Sequence, residues 1–307
     1  MKNSIITLAL LIFILTANAQ SKLITLDSEN GSNGSIAINV NNLAATRYTI
    51  KIDFRNLTGF LTYDVSNPFI DNVGVGRTQI LKLTPDKNAV SRSLNYSYSY
   101  YAGIAFRKTP TNYKHYLLPV SAGKKTTITK VESINDIIGQ KSASNFYTQG
   151  FTYKLGDTIC ATRAGYVYNI NDQLTQGETS DVVFKDNRNK IFIEHKDGTL
   201  GYYTILSPIK CLVTNGEFVI PGQPIAIFNT ESEKYRIFFS VYYLDEEKVK
   251  SINSKEVYNA LPTYFYLNQD TNSTLLLENQ KYESVKSIEI ITEELNKKEK
   301  KKFGFSN

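Results

Sequence analysis

Between residues 21 and 130 the apolar residues follow no helical period and gather instead in short strand-like runs. Asn-Gly, Pro-Asp and Ala-Gly pairs lie between several of these runs and supply turn signals. Short runs separated by turn residues are typical of a small antiparallel β-sandwich. The predicted strands cover 35–40, 48–54, 59–65, 78–83, 94–106, 116–120 and 126–131.

The segment 190–244 has the clearest pattern and predicts four strands joined by tight turns. Its first strand is rich in isoleucine and phenylalanine, and its last is a long aromatic and β-branched run. Between the first two strands, Asp197 and Gly198 favour a type I′ hairpin turn, because glycine accepts a positive φ without a Cβ clash. The predicted fold class is all-β, with an N-terminal antiparallel β-sandwich, a C-terminal antiparallel β-core and a short charged C-terminal helix or tail.

The first 19 residues have the pattern of a secretory signal peptide. Lys2 supplies the basic start, residues 5–16 the apolar stretch, and Ala17 and Ala19 the small residues before a cleavage site. About 12 apolar residues are too few for the roughly 20 that a membrane-spanning helix needs. We therefore expect an exported protein of the periplasm or the extracellular space that does not span the membrane.

Pattern and charge divide the rest of the chain into four parts. The expected parts are a sandwich domain at 20–130, a linker at 131–150, a second domain at 151–286 and a charged tail at 287–307. With 307 residues, of which 41% are hydrophobic, the chain is long enough for two domains. The net charge is +6, and a cluster of lysines near the C-terminus is typical of a solvated tail. The sequence contains no recognised nucleic-acid-binding motif, so we expect no nucleic-acid partner.

Several motifs of the second domain resemble those of the lysostaphin/LytM-type zinc metallopeptidases, which cut peptide cross-links in bacterial cell walls. The hexapeptide EHKDGT at 194–199 stands where these enzymes have IDHGNG, and YTIL at 203–206 stands where they have YAHL. RIFFSV at 236–241 takes the place of HLHFEV, and GDTICA at 156–161 that of GTPVYA. The resemblance implies a lysostaphin-type core with the duplicated hybrid motif fold, in the two-domain form found in Bacteroidetes.

The residues that carry the chemistry of this family are replaced in the chain. The resemblance places the zinc-ligand and catalytic positions, which would form a vestigial groove, at Gly150, Ile205, Arg236 and Phe238. Histidine and carboxylate side chains are the usual zinc ligands, and these four positions offer neither. His195 matches a non-ligand histidine of the family's hairpin, so we expect a structural role for His195, Asp197 and Gly198. We predict no catalytic residue, no metal site and no cofactor.

Three functions remain open at this point. The first is an exported, non-catalytic peptidase homologue that binds peptidoglycan or regulates a cell-wall hydrolase, with Arg236 as the group that could pair with a carboxylate. The second is an active zinc metalloendopeptidase of peptidoglycan whose ligands come from other residues. The third is a structural interaction protein of the envelope.

Two further features allow more than one interpretation. Cys160 and Cys211 could form a disulfide in an oxidising compartment, or they could be two buried thiols. Tyr96, Tyr98 and Tyr100 alternate with serines and would lie on one face of a strand. They could stack on a sugar, but packing against the opposite sheet is the interpretation that we favour.

Overall fold

A computed structural model describes residues 23–111, 115–129, 147–172, 188–231, 235–251, 256–267 and 273–305. The predicted signal peptide at 1–19 and most of the predicted linker lie outside these residues. The described part is dominated by antiparallel β-strands, with three short helices, so the predicted all-β fold class is confirmed.

The N-terminal domain consists of two three-stranded antiparallel sheets. One sheet has the order β1 (Ile24–Asn30), β2 (Ile36–Asn42), β5 (Gly76–Leu83), and the other β4 (Phe69–Val73), β3 (Tyr48–Thr58), β6 (Ser93–Ala102). Ile38 and Val40 of the first sheet share one buried cluster with Ile50 and Ile52 of the second, which makes the domain a sandwich.

Packing accounts for two of the three alternating tyrosines of β6. Because Tyr96 and Tyr98 pair with Phe54 and Ile52 of β3, their rings lie on the core side and pack against the buried cluster. Tyr100, at the end of the same face, is 43% exposed.

The C-terminal domain is built on a ten-stranded sheet. Its main strands, in spatial order, are β15 (Phe218–Val219), β11 (Gly165–Asn171), β12 (Asn189–His195), β13 (Leu200–Ile205), β17 (Arg236–Asp245), β9 (Thr148–Thr152), β8 (Lys125–Thr129) and β19 (Lys281–Glu283). β18 (Tyr258–Leu261) and β7 (Ala105–Phe106) also pair with β17, β7 in parallel orientation. The helix α1 (Glu246–Lys250) follows β17 directly, capped by the side chain of Asp245.

A second sheet of three strands packs on one face of the large sheet. It has the order β10 (Thr158–Cys160), β16 (Pro224–Ile227), β14 (Lys210–Cys211). Ile159 and Ile225 of this sheet belong to the same buried cluster as Ile193, Ile205 and Ile237 of the large sheet. We call this buried side of the large sheet its inner face and the opposite side its outer face.

The boundaries of the domains differ from those expected from the sequence. β8 and the residues 116–120, assigned above to the sandwich, belong to the second domain, because Tyr116, Val120 and Ile128 lie in its core. The end of the predicted linker is also part of this domain, since β9 begins at Thr148. These residues were expected in the sandwich because they directly follow its strands in the sequence. Their apolar side chains are instead buried against strands that follow much later in the chain.

The predicted C-terminal tail forms two short helices that dock on the second domain. They are α2 (Ile288–Thr292) and α3 (Lys297–Lys302), and a capping box between Asn296 and Glu299 starts the second of them. Leu295 between the helices is buried against Phe218. Among the described residues, no helix has the length and apolar character needed to cross a membrane.

Candidate functional site

The hairpin that resembles the family motif has a different turn from the one predicted. The Gly198 N–H donates to the His195 carbonyl at 2.9 Å, and the His195 N–H donates to the Thr199 carbonyl. Gly198 has a φ of +93°, whereas Asp197 does not have the positive φ that a type I′ turn requires. The loop therefore has three residues and ends in a glycine bulge, and a Cβ at Gly198 would lie 2.2 Å from Ile104 of the neighbouring domain.

Arg47 of the sandwich ties this hairpin to the N-terminal domain. Its Nε donates to Glu194 at 2.6 Å and its backbone N–H donates to the other carboxylate oxygen at 3.1 Å. The guanidinium also donates to the carbonyls of His195 and Lys196. These bonds fix the position of the sandwich against the end of β12.

The four positions of the predicted vestigial groove do not share one face of the sheet. Ile205 pairs with Ile237, and both are fully buried on the inner face. Phe238 pairs with Gly150, and by alternation Phe238 and Arg236 point to the outer face. The groove of Gly150, Ile205, Arg236 and Phe238 is therefore wrong, because cross-strand pairing puts Ile205 on the opposite side of the sheet from the other three.

On β17, the residues that lie on the same inner face as Ile205 of β13 are Ile237 and Phe239. A site that needs these strands to contribute converging side chains would use positions 237 and 239, one residue later than 236 and 238. Because successive side chains of a strand point to opposite faces, a shift of one residue moves every side chain to the other face of the sheet.

The inner face at these positions is filled by aromatic side chains. The ring of Tyr116 lies 5.9 Å from that of His195, 6.2 Å from that of Phe239 and 6.3 Å from that of Phe265. Tyr203 packs on Phe239 with the ring centroids 4.7 Å apart. The Tyr116 N–H donates to the Tyr264 carbonyl, and the Tyr116 carbonyl accepts from the Tyr266 N–H. These two bonds hold the Tyr116 ring against the inner face of the large sheet.

The side chains at these inner positions do not fit a zinc ion. Ile205, Ile237 and Phe239 carry no donor atom, and zinc in proteins is held by histidine, cysteine or carboxylate groups. Within the described ranges, no group of three or more such residues is arranged to hold a metal.

His195 is buried beside this aromatic cluster and is neutral. Its Nδ1 donates to the Ala164 carbonyl at 3.1 Å, and its Nε2 is buried without a partner among the described residues. Burial, together with the charge of nearby Arg163, lowers the pKa of His195 to about 4. The predicted structural role of His195 stays a prediction, and these contacts are the ones through which it would act.

A charged centre next to His195 holds the C-terminal segment to the hairpin. Arg163 is 1% exposed and donates from Nε and one terminal nitrogen to Glu294 at 2.8 and 2.6 Å. The same nitrogen donates to Asp197 at 2.8 Å, and the other donates to Thr199 and to the hydroxyl of Tyr116. Burial alone would raise the pKa of Asp197, but the charge of Arg163 and the hydrogen bonds from Thr199 are among the effects that together outweigh it and lower that pKa to about 2.

Cys160 and Cys211 are both free. They lie on β10 and β14, the two strands that flank β16 on opposite sides. Burial raises the pKa of each thiol to about 11, which keeps both protonated at neutral pH.

The outer face of the large sheet carries a row of four aromatic rings across four neighbouring strands. From β11 to β17 the row runs through Tyr168, Phe192, Tyr202 and Tyr242, with ring centroids 5.4, 4.5 and 6.0 Å apart. This row lies along a cleft of about 710 Å³ between the large sheet and the sandwich. We call it the tyrosine cleft; its other tyrosines are Tyr48, Tyr100, Tyr101 and Tyr258.

Comparison with known proteins assigns no family. No family model matches the chain, and no curated protein matches it. Among solved structures, that of Helicobacter pylori Csd3 matches with a TM-score of 0.31 and 11% sequence identity, covering 82% of this chain and 77% of that one. At this score and identity, the match supports no conclusion about function.

Sequence patterns did not identify Arg163, Tyr116 or the tyrosine cleft. Arg163 is a single charged residue in an apolar stretch, and no periodicity marks such a position as buried. The pairing of Phe192 with Tyr202 was missed because the predicted two-residue turn shifts the register by one residue and would pair Phe192 with Tyr203, whereas the loop of three residues pairs it with Tyr202. The approach of the sandwich tyrosines to this pair depends on the contact between domains.

Proposed function

We propose that the protein is an exported, non-catalytic component of the cell envelope that binds peptidoglycan. The packing of the inner face is the main support. Ile205, Ile237, Phe239 and Tyr116 are each at most 1% exposed, so a peptide substrate has no access to these positions. We propose peptidoglycan as the ligand because the motifs at 194–199 and 203–206 resemble those of cell-wall peptidases.

Co-sedimentation with purified sacculi tests this proposal. We expect the mature chain to pellet with sacculi while an added unrelated basic protein is washed away. Raising the salt to about 0.3 M separates specific binding from non-specific adsorption of a basic chain, whose full sequence has a net charge of +6, because salt screens contacts between exposed charges. A chain that stays in the supernatant, or that high salt removes together with the basic control, would contradict peptidoglycan binding.

A further inference from the structure

The tyrosine cleft has the shape of a site for an extended ligand. Its row of rings crosses four strands, and the rings are half-buried, so each has an accessible part. The neighbouring rings of the row meet at interplanar angles between 51° and 83°, which leaves edges and faces in alternation along the row. A volume of about 710 Å³ lies within the range of about 300–1,000 Å³ that ligand sites usually have.

The cleft is electrically neutral. The described residues that line it are tyrosine, phenylalanine, leucine, alanine and asparagine, with no charged side chain among them. Sites for single-stranded nucleic acid combine stacked aromatic rings with a positively charged groove, and this lining lacks the charge. A ligand of this cleft is therefore expected to be uncharged where it contacts the rings.

The cleft also offers many hydrogen-bonding groups. The hydroxyls of Tyr100, Tyr168, Tyr202 and Tyr242 have no hydrogen-bond partner within the part of the chain that the structure describes. Asn169 and Asn215 add exposed amides. Burial raises the pKa of Tyr168 well above its ordinary value, so its hydroxyl keeps its proton. Each such hydroxyl can both donate and accept.

We propose that the tyrosine cleft binds a linear polysaccharide, with sugar rings stacked along Tyr168, Phe192, Tyr202 and Tyr242. This deepens the proposed function and rests on it where the polysaccharide is taken to be the glycan strand of peptidoglycan. Sugar rings present apolar C–H faces to aromatic rings and hydroxyls to the surrounding donors and acceptors. Proline-rich peptides also bind aromatic grooves, but a proline has no backbone N–H and would leave the acceptors of the cleft unused.

Calorimetric titration with the hexamer of β-1,4-linked N-acetylglucosamine tests the cleft directly. Tyr202→Leu removes the ring in the middle of the row, and Tyr202→Phe keeps the ring but removes the hydroxyl. Tyr166→Leu is the matched control, because Tyr166 lies on β11 like Tyr168 but packs against Phe218 outside the cleft. Thermal unfolding of each variant checks that it is folded.

We expect Tyr202→Leu to weaken binding of the hexamer about ten-fold, since stacking of a ring on an aromatic side chain contributes a factor of about 5 to 150. Tyr202→Phe should lose less, and Tyr166→Leu should bind like the unchanged protein. Because Tyr202→Leu could disturb the row by collapse, Tyr242→Leu is measured as a second variant and should weaken binding as well.

Sacculus binding measured with the same variants separates the two proposals. Retention on sacculi that survives both Tyr202→Leu and Tyr242→Leu would overturn the cleft as the glycan site while leaving the proposed function intact. Binding of the hexamer without retention on sacculi would support the cleft and overturn the proposed function. Failure to bind the hexamer, or binding of a proline decamer in its place, would overturn the polysaccharide proposal.

Discussion

Replacing Arg163 by methionine should lower the free energy of unfolding by about 3–5 kcal/mol, the usual cost of removing one partner from a buried ion pair. The substitution leaves the Glu294 carboxylate, whose side chain is 10% exposed, without its two charged hydrogen bonds. It also releases the contact between Asp197 of the hairpin and the segment that joins α2 to α3. Urea denaturation monitored by circular dichroism measures the decrease in the free energy of unfolding.

Arg77 provides a matched control for this substitution. It also contacts two carboxylates, those of Asp27 and Glu29, but its side chain is 48% exposed. Exposed ion pairs contribute about 0–1 kcal/mol, so Arg77→Met should change stability little. A second substitution, Glu294→Gln in the Arg163→Met background, should recover part of the loss by removing the uncompensated charge. Equal losses in Arg163→Met and Arg77→Met would contradict a structural role for the buried centre.

Acid should destabilise the protein through His195 before most carboxylates titrate. The pKa of His195 is about 4 in the folded protein and about 6.5 in the unfolded chain, so the unfolded state binds a proton first. The stability that neutral His195 contributes is complete above pH 6.5 and is lost as the pH falls toward 4. Between pH 8 and pH 5 the expected loss is on the order of 2 kcal/mol.

Unfolding free energies of the protein and of His195→Gln across this pH range measure the effect. The variant should be less sensitive to pH between 8 and 5, whatever its stability at neutral pH. Asp197 acts in a lower range: its folded pKa of about 2 means that its stabilisation is lost only as the pH falls below its ordinary value of 3.8. Identical pH profiles for the protein and the variant would show that His195 is not buried and neutral.

The all-β fold could be predicted because apolar alternation and turn residues are local properties of the sequence. For β17 it was harder to predict which side chains point to the inner face and which to the outer face. Ile237, Phe239 and Val241 are buried on its inner face, but Phe238 and Tyr242 are aromatic and half-buried on its outer face. A strand with apolar residues on both sides gives no alternation from which to choose a face, and this allowed the shift of one residue at the predicted groove.

Long-range packing explains the other differences. Tyr116 is separated from Phe239 and Phe265 by more than a hundred residues of sequence, so local pattern assigned its strand to the nearest domain. The C-terminal helices have the lysine content of a solvated tail, yet they are held by Glu294, which contacts Arg163, and by Glu299, which contacts Lys196. Such partners cannot be recognised in a single sequence until the turns and helices that carry them are placed relative to one another.

Release of muropeptides from sacculi is the measurement that tests the packed inner face most directly. Purified protein without residues 1–19 is incubated with sacculi, with added zinc and in parallel with a chelator, and bound metal is counted on the same sample. Because Ile205, Ile237 and Phe239 offer no ligand and Tyr116 covers them, we expect no release above buffer in either case. Zinc bound at one ion per chain, with muropeptides released only when zinc is present, would contradict a non-catalytic protein.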